Sequence, residues 1–298
     1  MMKIANAPCS WGILEFDIKN HSNYKKVLDE IKECNYLGTE LGDYGFLPTN
    51  PTLLRKELNK RNLSLVGAFI PLALYIKENH RKGIKKALLI ADLMKKAGFN
   101  DSLIILSDDN CKVNERTSNT ARIKKSMKLS KKKRLIFAEG ANKIAEEVFS
   151  KSNLKTVFHH HCGGYIETPD EIDYFMRNTD ENLIGLCLDT GHSFLGGGNP
   201  VNVIKKYKKR IWHVHFKDCN EKVKEVGIKK NWDYFQFIKN KIFCELNKGS
   251  IDFEKVKNEL IKINYKGWIV VEQDIIHGMG DPKQYARRNR KYLKSINL

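Results

Sequence analysis

Short apolar runs recur along the chain at residues 4–8, 37–41, 63–69, 103–106, 156–158, 184–188, 211–216 and 268–271. Each has the length of a strand and falls short of a buried helix. The stretches between them repeat differently. Tyr24, Val27, Leu28 and Ile31 line one helical face, as do Ile84, Leu88, Ala91 and Met94, and then Ile144, Ala145, Val148 and Phe149. Thr168-Pro169-Asp170-Glu171 sets a capping residue, a proline at the first helical position and acids in the first turn. Asn199-Pro200 repeats the device before 201–207, Asp252 opens a helix over 253–263, and Asp281-Pro282 opens the last one.

Eight strands alternating with helices in 298 residues predict an α/β protein built as one (β/α)8 TIM barrel, a single domain over 1–298. Nearly continuous apolar strands suit a parallel sheet covered by helices. An open doubly wound sheet would put a glycine-rich phosphate turn after the first strand, whereas this strand runs into Pro8-Cys9-Ser10-Trp11-Gly12. No long Pro/Ser/Gly linker divides the chain.

Composition narrows the class. Hydrophobic residues make up 41% and charged residues 30%, enough apolar side chain for a large core. No run reaches the roughly 18 apolar residues of a membrane span, and the first residues contain no apolar stretch of signal-peptide length. A cytoplasmic enzyme is the expectation. The seven cysteines stand singly, without a C-x-x-C pair, as befits reduced thiols. The formal charge of +18 raises nucleic-acid binding as a reading. The positive residues gather at 124–134, 205–210, 222–230 and 287–294, in outer helices or loops and without interleaved aromatics, so a solvated exterior is expected and a nucleic-acid partner is not. Oligomerisation is left open.

A barrel of this kind carries its chemistry just past the C-terminal ends of several strands. Asn6, Ser10, Trp11 and Glu15 follow the first strand, and Glu40 ends the second. His159-His160-His161 ends the fifth, with Glu167 beyond a Gly163-Gly164 turn. Asp189 ends the sixth ahead of Thr190-Gly191-His192; His213, His215, Lys217 and Asp218 mark the seventh; Glu272, Gln273 and Asp274 the last. Alternation puts His159 with His161 on one face and His213 with His215 and Lys217 on another. Taken singly, Asp189 reads equally as a helix cap and each histidine as a structural residue. Glu40 and Glu15 either bind substrate hydroxyls or cap a following segment, and Trp11 either floors a sugar pocket or closes the barrel bottom. Together, carboxylates and imidazoles from four successive strand ends suit a divalent cation of the Mn2+, Co2+, Fe2+ or Zn2+ type.

Several segments also carry a resemblance. NAPCSWGILE (6–15), GTELGDYGFLPTNP (38–51), LVGAFIPLAL (65–74), FHHHCGGYIETPDEID (158–173), GLCLDTGHSFLGGGNP (185–200), IWHVHFKD (211–218) and WIVVEQD (268–274) resemble the inosose dehydratases of inositol catabolism, within the xylose-isomerase-like sugar isomerase/epimerase superfamily. The resemblance covers nearly the whole chain. It implies a divalent metal, Mn2+ or Co2+ first and Zn2+, Fe2+ or Mg2+ otherwise, held by Asp189, His215, Glu272 and a fourth ligand. That fourth ligand is either His159 or Glu167. Glu167 is preferred, because it preserves the ligand charge of the family. His159 and His161 would then face the substrate. With Trp11, Glu40, His192 and Lys217, they make up the substrate contacts.

The activity implied is dehydration of a cyclic polyhydroxy ketone, 2-keto-myo-inositol, with Glu272, Glu167 or His161 as base and His192 or Lys217 as acid. A second carboxylate across the substrate would instead give a keto-sugar or sugar-phosphate isomerase or epimerase. Abasic-site endonucleases share the barrel but need histidines after strands two and three, where this chain has Glu40 and Phe69-Ile70-Pro71. A metal-free sugar-binding relative is a third class. The resemblance departs at Asn247-Lys248-Gly249, where relatives have smaller residues, and in the lysine-rich stretch 219–243, which carries no recognisable motif.

Overall fold

A computed structural model describes residues 2–14, 23–276 and 278–298. The strands are β1 (Lys3–Asn6), β2 (Gly38–Glu40), β3 (Ser64–Pro71), β4 (Leu103–Ser107), β5 (Lys155–His159), β6 (Ile184–Asp189), β7 (Ile211–Phe216), β8 (Asp218–Cys219), β9 (Phe243–Cys244) and β10 (Trp268–Val271). Eight of them close a barrel in the order β1-β10-β7-β6-β5-β4-β3-β2, with β8 and β9 forming a separate antiparallel pair. The pairings within the barrel are parallel. All eight apolar runs of the sequence become these barrel strands. The first is shorter than expected: Pro8, with no N–H to give to a ladder, leaves the sheet and opens a 3-10 turn over Pro8–Trp11.

The expected helices form at Tyr24–Glu33, Asn79–Lys96, Lys131–Ser152, Pro169–Arg177, Pro200–Tyr207, Phe253–Lys262 and Pro282–Ser295. Their starts follow from local chemistry. Asp252 accepts a hydrogen bond from Lys255 N, Asn199 from Val201 N, and Glu171 closes a capping box with Thr168. Phe149, placed by periodicity on a buried face, is 45% exposed beside buried Val148. The basic run at 124–134 covers the 3-10 turn Lys125–Met127 and the start of the helix Lys131–Ser152, where Lys128 pairs with Asp170 at 2.5 Å. All seven cysteines are free thiols. Among the described residues, no helix is long and apolar enough to cross a membrane.

Alternation along each strand decides what reaches the site. Phe158, Leu188, Val214 and Val271 point outward and join the large apolar layer between barrel and helices. Their neighbours point inward. Val157 and Cys187 pack with Ile105, and Val270 with Ala5 and Val66, which fills the barrel interior. Two residues further along β5, β6 and β10, the same inward face presents His159, Asp189 and Glu272, one layer above this floor. The pairing register brings these together: His159 lies beside Cys187, Asp189 beside His215, and His215 beside Val270. On β2 the register shifts between Thr39 and Glu40, an irregularity of the kind that re-aims a side chain, and Glu40 turns into the barrel.

Candidate active site

Four side chains from neighbouring strand ends converge: His159, Asp189, His215 and Glu272 bring one donor atom each within 4.8 Å of one another. His159 Nε2 is 3.5 Å from Asp189 Oδ2, which is 3.8 Å from His215 Nδ1, and His215 Nδ1 is 3.3 Å from Glu272 Oε1. Donors on a common cation, at bonds of about 2.0–2.2 Å, lie about 3–3.5 Å apart, close to this spacing. His159 Nε2, Asp189 Oδ2 and His215 Nδ1 are buried and have no hydrogen-bond partner among the described residues. Buried polar atoms ordinarily find one. Their common aim therefore fits a divalent cation, and two imidazoles with two carboxylates is a donor set for Mn2+, Co2+, Fe2+ or Zn2+.

Two of the donors, Asp189 and His215, are oriented from behind. Asp189 caps the helix Thr190–Leu195 with Oδ1, which accepts from His192 N at 2.8 Å, and turns Oδ2 to the cluster. One oxygen thus caps the helix and the other faces the cluster. Glu40 Oε1 accepts from His213 Nε2 at 2.8 Å and His215 Nε2 at 2.9 Å. This leaves Nδ1 as the face His215 shows to Asp189 and Glu272. Burial works against charge on Glu40, but His215 and the hydrogen bonds from both histidines outweigh it and bring its carboxyl down to about 2. Glu40 was expected to contact substrate or cap a segment; its inner oxygen is instead committed to the two imidazoles.

Lys217 follows on the same face. Its ammonium lies 3.0 Å from Glu272 Oε2, 3.0 Å from Asp274 Oδ1 and 3.5 Å from Asp189 Oδ2. Burial opposes its charge, but Asp189, Asp274 and Glu272 hold its pKa well above the usual lysine value. Gly191 makes this geometry feasible, because a Cβ there would stand 2.8 Å from Lys217 Cγ. Glu272 in turn is kept well below the usual carboxylate range: burial pushes it up, and His215 and Lys217 pull it further down.

His161 Nδ1 lies 2.5 Å from the Cys162 carbonyl oxygen, an acceptor only, so Nδ1 carries the proton. Nε2 then offers a lone pair and faces the Tyr234 hydroxyl at 3.4 Å. Burial first, then His159 and Lys217, lower its pKa well below 6.5, so the ring is neutral. The turn that follows depends on Gly163, whose φ of +81° a side chain would resist.

Glu40, His159, His161, His215, Lys217, Glu272 and Asp274 line one pocket, together with Pro8, Cys9, Ile13, Leu14, Phe69 and Tyr234.

Three expected site residues lie elsewhere. Glu167 is outside the cluster: its carboxylate accepts from Ala121 N at 2.8 Å and Gly163 N at 2.9 Å, because the loop carrying it is turned toward those donors. His159 occupies the fourth position instead. Trp11 is absent from the pocket lining, since its indole N–H donates to Glu30 Oε2 at 2.7 Å on the helix Tyr24–Glu33. His192 is fully buried behind His161, with ring centroids 3.7 Å apart, and touches Lys217 Nζ at 3.2 Å without lining the pocket. Glu15 lies outside the described residues. Asp274, named only among the polar residues of the last strand end, was given no role, though its place two residues past Glu272 is a period-two signal. Tyr234 and Phe243 come from the motif-less stretch and had no sequence signal at all.

Residues 28–296 match the family model described as xylose isomerase-like TIM barrel. The chain belongs to that family. It is 30% identical to an inosose dehydratase of Clostridium beijerinckii over 98% of this chain and 96% of that protein. It is 31% identical to one of Bacillus licheniformis over 95% and 94%. A solved structure of a probable 3-DHS dehydratase from Bacillus anthracis superposes with a TM-score of 0.70 at 15% identity, covering 99% of each chain, which speaks to the fold alone. Within this family of barrels the chain is an enzyme, and its affinity is with dehydratases, that is, hydro-lyases.

Proposed function

We propose that this member of the xylose isomerase-like family is a metal-dependent dehydratase acting on a cyclic polyhydroxy ketone of the 2-keto-myo-inositol class. One observation carries the reading: four donors from the ends of β5, β6, β7 and β10 converge, three of them through buried atoms with no hydrogen-bond partner among the described residues, and His159, His215 and Glu272 of this cluster line the same pocket as a neutral histidine. His159, Asp189, His215 and Glu272 are the ligands in this reading. A divalent cation held by them would supply Lewis-acid charge to a ketone substrate.

The side chains do the rest. His161 Nε2 takes the proton from the carbon next to the ketone, since it is uncharged at neutral pH and its other nitrogen is anchored. Lys217 stays an ammonium among Asp189, Asp274 and Glu272, and donates hydrogen bonds to ring oxygens that become more negative as the proton leaves. Phe69, Ile13 and Leu14 supply apolar wall that keeps bulk water from the ring. The names of the curated relatives support the substrate class.

Incubating the purified protein with 2-keto-myo-inositol and Mn2+ or Co2+ tests this. Ultraviolet absorbance of a conjugated product is expected, lost on chelation and restored by the cation. Isomerisation or epimerisation gives no such absorbance, and a flat trace with turnover of the ketone by NMR would replace dehydration with that chemistry.

A further inference from the structure

Between β7 and the helix Phe253–Lys262 the chain leaves the barrel rim and returns. The excursion is clamped where it begins and ends. Asp218 accepts from Gly249 N at 2.9 Å and Ile251 N at 3.2 Å, and β8 pairs with β9 through Asp218–Cys244 and Cys219–Phe243. Within it, Asp233 caps the short helix Tyr234–Lys239 by accepting from Gln236 N at 2.7 Å. Tyr234 and Phe243 are 0% and 1% exposed, although they belong to a surface excursion, because Tyr234 is turned into the pocket and Phe243 packs on His192 and Lys217 beside it. Phe243 packs on the His192 ring at 4.9 Å and lies 4.9 Å from Lys217 Nζ. Tyr234 lines the pocket, with its hydroxyl 3.4 Å from His161 Nε2 and 3.3 Å from Asp274 Oδ2.

That position is informative. Removal of a hydroxyl needs a proton on the departing oxygen. Lys217 is held by three carboxylates, and His192 does not reach the pocket. The phenol is a proton donor that lines the pocket and sits within hydrogen-bond reach of the base. We propose that Tyr234 is a catalytic residue of the dehydration: its phenol protonates the departing hydroxyl, and His161 restores that proton.

The step rests on the dehydration reading above, and it balances. His161 Nε2 takes the proton from carbon, and the C–H pair becomes the new carbon–carbon double bond. The C–O bond breaks with its electron pair on oxygen, which takes the phenolic proton and leaves as water. The imidazolium then returns its proton to the phenolate, so both residues end as they began. Carbon-bound hydrogen and hydroxyl leave from the same face of the ring, because both groups stand on the same side of the pocket.

The experiment is Tyr234→Phe assayed in D2O with 2-keto-myo-inositol and Mn2+. Two rates are followed: deuterium entry next to the ketone by NMR, and absorbance of the conjugated product. The phenyl ring keeps the packing, so the fold is retained. Expected is product formation about 100-fold slower with deuterium entry still proceeding, since His161 is untouched. His161→Gln should lose both. Product formation within twofold of wild type overturns the assignment. Equal loss of exchange and product also overturns it, because Tyr234 would then only position His161. Wild-type enzyme that neither exchanges nor eliminates overturns the dehydration reading itself, a result separate from either outcome for the variant.

Discussion

Glu40 shows how one buried carboxylate organises two imidazoles. A single oxygen takes hydrogen bonds from Nε2 of both His213 and His215, and this decides which nitrogen His215 turns to Asp189 and Glu272. Partners of this kind typically account for 10–100-fold in metal affinity. Glu40→Gln should therefore weaken Mn2+ binding by about 10–100-fold in a direct titration; unchanged affinity would mean that His215 is oriented without it. At this level the strand-end residues Asp189, His215 and Glu272 were readable from alternation and motif. The choice between His159 and Glu167 was not. Glu167 belongs to a loop, and its direction follows from the backbone N–H groups of Ala121 and Gly163 that it meets, one of them 46 residues away in sequence.

The loop bearing Glu167 is itself held by a buried ion pair. Arg116 donates to both oxygens of Glu171 at 2.9 Å and to the Gly164 carbonyl at 2.7 Å, and both side chains are excluded from solvent. Glu171 meanwhile caps the helix Pro169–Arg177 through Thr168 N at 3.0 Å. Removing the arginine strands a buried carboxylate, which costs about 3–5 kcal/mol in comparable pairs. Arg116→Ala should lower stability by about that amount in denaturant unfolding, and a change under about 1 kcal/mol would show that the pair offsets little more than its own desolvation. Helix starts such as Thr168-Pro169 and Asp252 were legible because a cap is a local event. The excursion carrying Tyr234 was not. Its place over the pocket depends on Asp218 meeting Gly249 and Ile251, contacts about 30 residues apart.

Across the molecule, charge is distributed by sign. Lysine and arginine dominate the exterior, while the pocket gathers Glu40, Glu272, Asp274 and the adjacent Asp189. Two further buried carboxyls lie near the loop after β5. Burial pushes Glu167 up to about 7 against Arg116 and its two N–H donors, and Asp108 up to about 7 against the N–H groups of Tyr165 and Asp109. Both are raised above their unfolded values, so the folded chain holds more protons there than the unfolded one. Their contribution is fully present below the ordinary carboxyl range and declines as pH rises toward 7. Thermal unfolding followed from about pH 4.5 to 7 should show this decline. Glu167→Ala should flatten it, and an unaltered slope would place the proton uptake elsewhere.

Nearly continuous apolar runs of strand length, with a 3.6-residue period between them, specified a helix-covered parallel barrel, because each strand buries both faces. Their place at strand ends, with the motifs of the resemblance, likewise put Asp189, His215 and Glu272 on one rim. What emerged only on folding was the fourth donor, the commitment of Glu40 to the histidines, the withdrawal of Trp11 and His192 from the pocket, and the arrival of Tyr234. In each case the deciding partner is remote in the chain, and a hydrogen bond between remote residues leaves no local pattern by which it could be read.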